Sequence, residues 1–513
     1  MPALITLILL ALTLIAVIAL HLFAPLRRSS WAAAAIGSLA AWGSVFFWQI
    51  SLPALLPVGS WRPVSLFAVS PALKVDALAW VYALSLTSLA AAVIFTSSAQ
   101  TETSVWAWAG SLTLTALGLL AFLSDNPLTL VMIWTALDLT DALNTLRSAS
   151  DGAMSEKAVM SFSVRAAGTG FALWASVNNA MLGAPFLFEN LRPQSAVYLL
   201  IAVGLRVGVL PLHLAAEPQM RRGFGSALRL TAAASSLALL SRLPQVGLTE
   251  TSLLILQAGA LLAALYGSWK WFSGQEDVLS LRPFWLIAVS ALALLQAAGG
   301  NGAGAAAWGC VLVLTGGGVF LAFARQRWLQ VLLSLLVLFS LGLPFSLTGT
   351  VWLADLPWFL ALPALLAQAM LLAGVFFFLW RSSGPAWEEL PQWARVSYPL
   401  GLSLLPLTAL ILGLWGWPGA LRLGNWPVGL AALALTTGLL TLRWRFWPQS
   451  APGQSAPRQS RLYQIQARLT AAVGWLYRFI RRASFFLVGL LEGEGGLLWI
   501  LLTLVIFALV FKA

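Results

Sequence analysis

Apolar residues run along this chain in blocks of about twenty, the length a helix needs to cross a bilayer. Short polar, glycine- or proline-containing breaks separate the blocks. The pattern predicts helices near 3–24, 31–49, 77–97, 104–124, 126–146, 157–177, 196–216, 225–245, 251–271, 283–299, 303–324, 329–350, 356–380, 397–416, 425–442 and 486–510. That is an all-α polytopic membrane protein of about sixteen spans. The block from Met1 to Pro25 has no basic start and no evident small-residue cleavage site, so it reads as a first span rather than a signal peptide. Two helices carry internal breaks: Gly204, Gly208 and Pro211 in 196–216, and Gly342, Pro344 and Gly349 in 329–350. If 104–245 and 251–380 are five-helix blocks, each break falls in the fourth helix. Transporters built on two inverted repeats place broken helices in this way, so that freed backbone groups line a polar cavity.

The expected organisation is N-terminal helices over 1–98, a two-repeat core over 99–380, and C-terminal helices over 381–513. Within the last part, 447–460 is a linker rich in Pro, Ser and Gln. Beyond it, 461–482 sets Leu462, Ile465, Leu469, Val473, Leu476 and Ile480 at helical spacing among five arginines. Such a segment lies along the cytoplasmic interface, as an anchor on anionic lipid or as a lateral strut against a neighbouring subunit.

Composition agrees with this picture. Of 513 residues, 60% are hydrophobic and only 9% charged, well below the roughly 25% of an average soluble domain. A soluble enzyme, a disordered chain and a nucleic-acid partner are all excluded. The net charge of +12 imitates a nucleic-acid binder until the positions are read. With the N-terminus outside, twenty of the 29 Lys and Arg residues fall on the cytoplasmic side, six on the other, and three within spans. The positive-inside rule turns that imbalance into an orientation, for a multi-pass protein of the cell membrane. One cysteine, Cys310, and two histidines, His21 and His213, leave no basis for a metal or haem site, and no nucleotide- or flavin-binding motif appears. No cofactor is expected. Gly316-Gly317-Gly318 reads as close helix packing rather than a phosphate loop.

The charged residues within the apolar blocks mark the candidate site, because a charge at the bilayer centre costs about 2.5–3.5 kcal/mol on insertion scales. Asp138 and Asp141 share one face of 126–146, three residues apart. Arg165 lies in 157–177, and Arg206 near the middle of 196–216. His213 and Glu217 follow towards the cytoplasmic end, and Arg229 opens 225–245. The set is either a polar path for protons or ions, or a group of internal ion pairs that fixes helix packing. Asp141, near the end of its span, is expected to be partly wet.

Several motifs in this order resemble the antiporter-like membrane subunits of respiratory complex I, related hydrogenase complexes and Mrp-type cation/proton antiporters. They are Val75-Asp76-Ala77-Leu78, Asp125-Asn126 leading to Trp134, Arg165-Ala166-Ala167-Gly168, Arg206 through Pro211-Leu212-His213, Ser226-Ala227-Leu228, and Gly342-Leu343-Pro344-Phe345-Ser346. The resemblance covers roughly 75–380. It implies two inverted five-helix repeats, each with a helix broken at Pro211 or Pro344. It also implies a lateral helix, two half-channels joined by a polar axis, and other hydrophobic subunits as partners.

This chain departs from the family at several positions. Thr135 stands where the family has a glutamate, with Asp138 one turn on. Arg206 replaces a lysine, and an arginine does not give up its proton under ordinary conditions. Leu230 and approximately Ser236 stand where the eighth helix of the family carries histidine and lysine. Between Arg282 and Arg381 the ionisable residues are Arg325, Arg327 and Asp355, all at predicted helix ends. Gln296, Thr315, Ser334, Ser340, Ser346 and Gln368 offer only neutral polar groups there. The resemblance therefore implies a proton- or cation-translocating subunit of a complex I-like, NADH–quinone oxidoreductase-type or Mrp-like assembly, with at most one intact half-channel. The alternatives are a non-conducting scaffold subunit and an independent carrier.

Overall fold

Helices dominate the computed structural model, which describes residues 2–23, 29–57, 70–99, 104–148, 152–183, 187–210, 212, 229–243, 246–275, 277–324, 326–349, 356–381, 384–416 and 426–446. They are α1 Pro2–Leu22, α2 Ser30–Phe46, α3 Ala77–Thr96, α4 Val105–Leu123 and α5 Pro127–Ser148. Next come α6 Gly152–Met181, α7 Pro193–Arg206, α8 Leu230–Leu240, α9 Glu250–Ser273 and α10 Arg282–Ala298. The last five are α11 Gly302–Leu321, α12 Arg327–Leu338, α13 Trp358–Trp380, α14 Ala394–Ile411 and α15 Trp426–Phe446. A helix lies at each of the first fifteen predicted segments. The segment 486–510, the linker 447–460 and the amphipathic stretch 461–482 lie outside the described residues. By contacts the chain divides into Met1–Trp444 and Arg445–Ala513; of the second unit only Arg445 and Phe446, the end of α15, are described.

Among the described residues, nine helices are long and apolar enough to cross a membrane: α1 to α4, α9, α11 and α13 to α15. With large apolar side chains exposed along their outer faces, such as Ile8, Leu12 and Ile15 of α1, they belong to a multi-pass membrane protein. Helices α5 and α6 are as long but more polar, for the reason given below.

Helix α11 sits at the centre with its whole span buried, and α3 beside it is nearly so. The first packs on α3, α8, α10 and α14; the second also meets α2 and α4. Three consecutive glycines bring the neighbours close. A Cβ on Gly316 would meet Trp285 Nε1 of α10 at 2.7 Å. One on Gly317 would meet Leu89 of α3, and one on Gly318 would meet Leu336 of α12, each at 2.5 Å. Each glycine therefore serves a different helix, which is the packing role expected from the sequence.

A short antiparallel pair, β1 (Ala54–Pro57) and β2 (Ala72–Val75), precedes α3 in the register Ala54↔Val75 to Pro57↔Ala72. It adds two four-residue strands to the all-helical expectation. Asp76 then caps α3, accepting from Ala79 N at 2.7 Å. Arg242, just past α8, ties this end together by donating to Asp76, Phe122 O and Ser124 O.

Two helices stop early. Helix α7 ends at Arg206, after which Gly208 turns at φ 77° while Val209 and Leu210 both donate to Gly204 O. Helix α12 ends at Leu338 and is followed by Gly342 at φ 89° and Phe345 at φ 65°. This second turn packs against later helices that lack a side chain at the contact. A Cβ on Gly429 of α15 would strike Gly342 O at 2.8 Å, and one on Gly413, after α14, would strike Phe345 O.

Candidate functional site

Helices α5 and α6 follow one another closely in the chain and pack side by side. They bring Asp138 and Asp141 opposite Arg165. Asp138 and Asp141 lie on one face of α5, and that face is buried: their exposures are 1% and 6%. Asp141 is thus drier than its position near the helix end led us to expect, because Arg165 and Arg229 close over it.

Arg206 is the best-held member. Its guanidinium donates to both oxygens of Asp138, Nη1 to Oδ2 at 2.6 Å and Nη2 to Oδ1 at 3.0 Å. The Nε donates to Ser236 Oγ at 3.0 Å, and Nη1 also reaches Thr169 Oγ1 at 2.8 Å and Arg165 O at 3.2 Å. Trp134 lies under the cation, with 4.0 Å from Cζ to the ring centre, and its own Nε1 donates to Ser235 Oγ at 3.1 Å. Ending α7 at Arg206 places the residue in the last turn of a helix, where the negative end of the helix dipole favours positive charge. Gly168 leaves room for its stem: a Cβ there would meet Arg206 Cγ at 2.5 Å and Ala202 O at 2.8 Å.

From Asp138 the charges continue in alternation. Arg165 holds Asp141 at 2.7 Å through Nη2 and stands 3.7 Å from Asp138 through Nη1. Arg229 is 3.8 Å from Asp141 and donates to Thr145 Oγ1 at 2.7 Å. The order is Arg206, Asp138, Arg165, Asp141, Arg229, a ladder of alternating charge across α5 to α8. Pro211, His213 and Glu217 lie outside the described residues. Pro344 lies in the turn that follows α12.

Some members of the site were not singled out from sequence as site residues. Trp134 and Gly168 were visible only as parts of motifs; Thr169, Ser235 and Thr145 gave no signal, since hydroxyls are common in apolar helices. Ser236 was noted only as a replaced position, yet its hydroxyl meets the arginine. Thr135, where the resembling family carries a carboxylate, is exposed and donates to Val131 O at 2.8 Å. The carboxylate of this chain therefore faces inward one turn further along.

The second block contrasts with the first. Among the described residues of 251–380, the only buried charged side chain is Arg282, at the first turn of α10. In its interior Thr315 Oγ1 and Ser340 Oγ lie 3.1 Å apart, and Gln368 Nε2 donates to Ser340 O at 2.8 Å. Gln296 Oε1 accepts from Asn301 at 3.0 Å, and Ser334 Oγ accepts from Trp380 Nε1 at 3.2 Å. These groups pass hydrogen bonds but store no charge. Among the described residues no three His, Cys, Asp or Glu side chains are grouped to hold a metal ion.

No family model matches the chain, and no curated protein sequence matches it. Solved structures do. A chain of the Mrp complex from Dietzia sp. DQ12-45-1b is 17% identical, with a TM-score of 0.66 over 98% of this chain. This chain spans only 63% of the length of that one. A chain of the membrane-bound sulfane sulfur reductase, an archaeal respiratory membrane complex, is 14% identical with a TM-score of 0.66, over 98% of this chain and 99% of that one. A chain of respiratory complex I from Thermus thermophilus is 19% identical with a TM-score of 0.58, over 80% and 98% of the two chains. What this chain shares with these three chains is the fold.

Proposed function

We propose that this chain is an antiporter-like membrane subunit of a complex I-like, NADH–quinone oxidoreductase-type or Mrp-like assembly. The ladder in its first block would be its single ion-handling centre. The observation that supports this is the bidentate contact of Arg206 with Asp138, set beside a second arginine, Arg165, that is 2.7 Å from one carboxylate and 3.7 Å from the other. Arg165 is placed to shift between them. When a guanidinium withdraws, the buried carboxylate left behind takes up a proton; when it returns, the proton is expelled. Arg206 and Arg165 act as gates and not as carriers, since arginine keeps its charge. His213 and Glu217 would provide access from the cytoplasmic side.

In this reading 104–245 and 251–380 are the two inverted repeats of a sixteen-span subunit in the cell membrane, with the N-terminus outside. Other hydrophobic subunits supply the driving conformational change, and the 461–482 helix rests on anionic lipid or on a neighbour. The moved ion is a proton, or a small cation exchanged for one.

A second reading rests on a specific observation. Both carboxylates are engaged by arginine, and among the described residues the second block has no buried charge apart from Arg282 at its edge. That suits a scaffold subunit that conducts nothing. Reconstituting the purified assembly in liposomes separates the two. Asp138→Asn is expected to abolish proton uptake while leaving the complex intact by size. Unchanged uptake with assembled complex overturns the gating role of Asp138, and loss of assembly on deleting the subunit, without any effect of Asp138→Asn on flux, supports the scaffold.

A further inference from the structure

We propose that the ends of α13 and α15 form a binding site for the phosphate of an anionic lipid headgroup, with Arg443 and Arg381 as its ligands. Arg443 lies near the end of α15 and is 3% exposed. Its guanidinium stacks on Phe377, 3.4 Å from Cζ to the ring centre, with Phe272 and Phe378 at 5.1 and 5.7 Å. The Nη2 donates to Gly274 O at 2.9 Å, whereas Nη1 has no hydrogen-bond partner among the described residues. Arg381, the residue that ends α13, is exposed and shares the same ring at 5.7 Å. Its Nη1 donates to Gln275 O at 3.1 Å.

Two cations thus share one aromatic ring, and neither forms an ion pair with a carboxylate among the described residues. Ring and carbonyl contacts soften the desolvation of a buried cation without neutralising it. A phosphate answers the remaining donors: it carries the missing charge and accepts from guanidinium groups in paired geometry. The surroundings point to a lipid as its source. Trp380, Trp444 and Leu442 are 43%, 55% and 52% exposed beside the two arginines, and tryptophans of this kind settle at the headgroup level of a bilayer. Phe376 packs between the two tryptophans, at 5.6 Å from Trp380 and 6.5 Å from Trp444, so an apolar surface adjoins the cations. The site uses residues other than those of the arginine-rich 461–482 segment.

The test uses the full-length protein in nanodiscs of phosphatidylglycerol or of phosphatidylcholine, together with native mass spectrometry of lipids retained after detergent washing. Wild type is expected to retain at least one more anionic phospholipid than Arg381→Gln or Arg443→Gln, and to melt several degrees higher in phosphatidylglycerol than in phosphatidylcholine. Each variant is expected to lose at least half of that difference, Arg443→Lys less of it, and the exposed control Lys157→Gln none. Comparing variants with wild type cancels any lipid held by 461–482. An unchanged preference for phosphatidylglycerol in Arg381→Gln and Arg443→Gln overturns the site. If millimolar inorganic phosphate in phosphatidylcholine reproduces the stabilisation, the ligand is a free anion and the lipid assignment is overturned. Should Arg443→Gln fail to fold, Arg381→Gln, at an exposed side chain, still decides the question.

Discussion

Arg206 shows why a guanidinium, and not an ammonium, suits this site: five acceptors and a ring surround it, and its two terminal nitrogens match the two oxygens of Asp138. Breaking one side of such a buried pair strands a charge, at a cost of about 3–5 kcal/mol, while replacing both sides by apolar groups is often close to neutral. Asp138→Leu alone is therefore expected to destabilise by about 3–5 kcal/mol. The double variant Asp138→Leu with Arg206→Met should lose clearly less, as read from thermal midpoints of all four proteins. Additive losses would mean that the pair is not coupled. The charged members of the ladder were legible in the sequence because a charge in an apolar segment stands out. The supporting members were not, since Thr169 and Ser236 acquire meaning only when α6, α7 and α8 converge on one guanidinium.

Helix positions were legible for a different reason: apolar length alone marks a potential span. Where a helix stops inside its apolar block was less legible. Gly204, Gly208 and Pro211 announced a break around Arg206, but only the turn at Gly208 puts the arginine at the last helical residue rather than mid-helix. The β1–β2 pair gave no signal, being two four-residue strands without clear polar alternation. After α12 the unusual residue is Phe345, a left-handed aromatic that is 44% exposed. A side chain in that conformation costs about 1–2 kcal/mol, and the added freedom of glycine in the unfolded chain costs roughly 0.5–1 kcal/mol. Phe345→Gly is thus expected to leave stability unchanged or raise it by up to about 1 kcal/mol, measured by thermal unfolding in detergent. A clear loss would show that the phenyl ring, despite its exposure, holds the turn.

Among the described helices long and apolar enough to cross a membrane, α3 and α11 are the most deeply buried, packed on by α2, α4, α8, α10 and α14, and glycine decides how closely these approach. Gly317 faces Leu89 and Leu405, whereas a Cβ on Gly438 of α15 meets nothing within 4 Å. Gly317→Leu is expected to cost at least about 1–3 kcal/mol through overpacking, with reduced folded yield. Gly438→Leu should be neutral or stabilising by up to about 1 kcal/mol through helix propensity. Size-exclusion profiles and thermal midpoints check both, and equal behaviour of the two variants would contradict the central place of α11.

The two spacings of Arg165, 2.7 Å to Asp141 and 3.7 Å to Asp138, bear on what can drive the ladder. Exchanging them moves the guanidinium by about an ångström, against a hydrocarbon thickness of about 30 Å. Even if the movement lay wholly along the membrane normal, a potential of about 100 mV, worth about 2.3 kcal/mol for a full crossing, would contribute only about 0.1 kcal/mol. Voltage therefore has almost no grip on this step. On the proposed function, a neighbouring subunit that pressed on α6 would have it, because a displacement of that size changes which carboxylate the arginine serves.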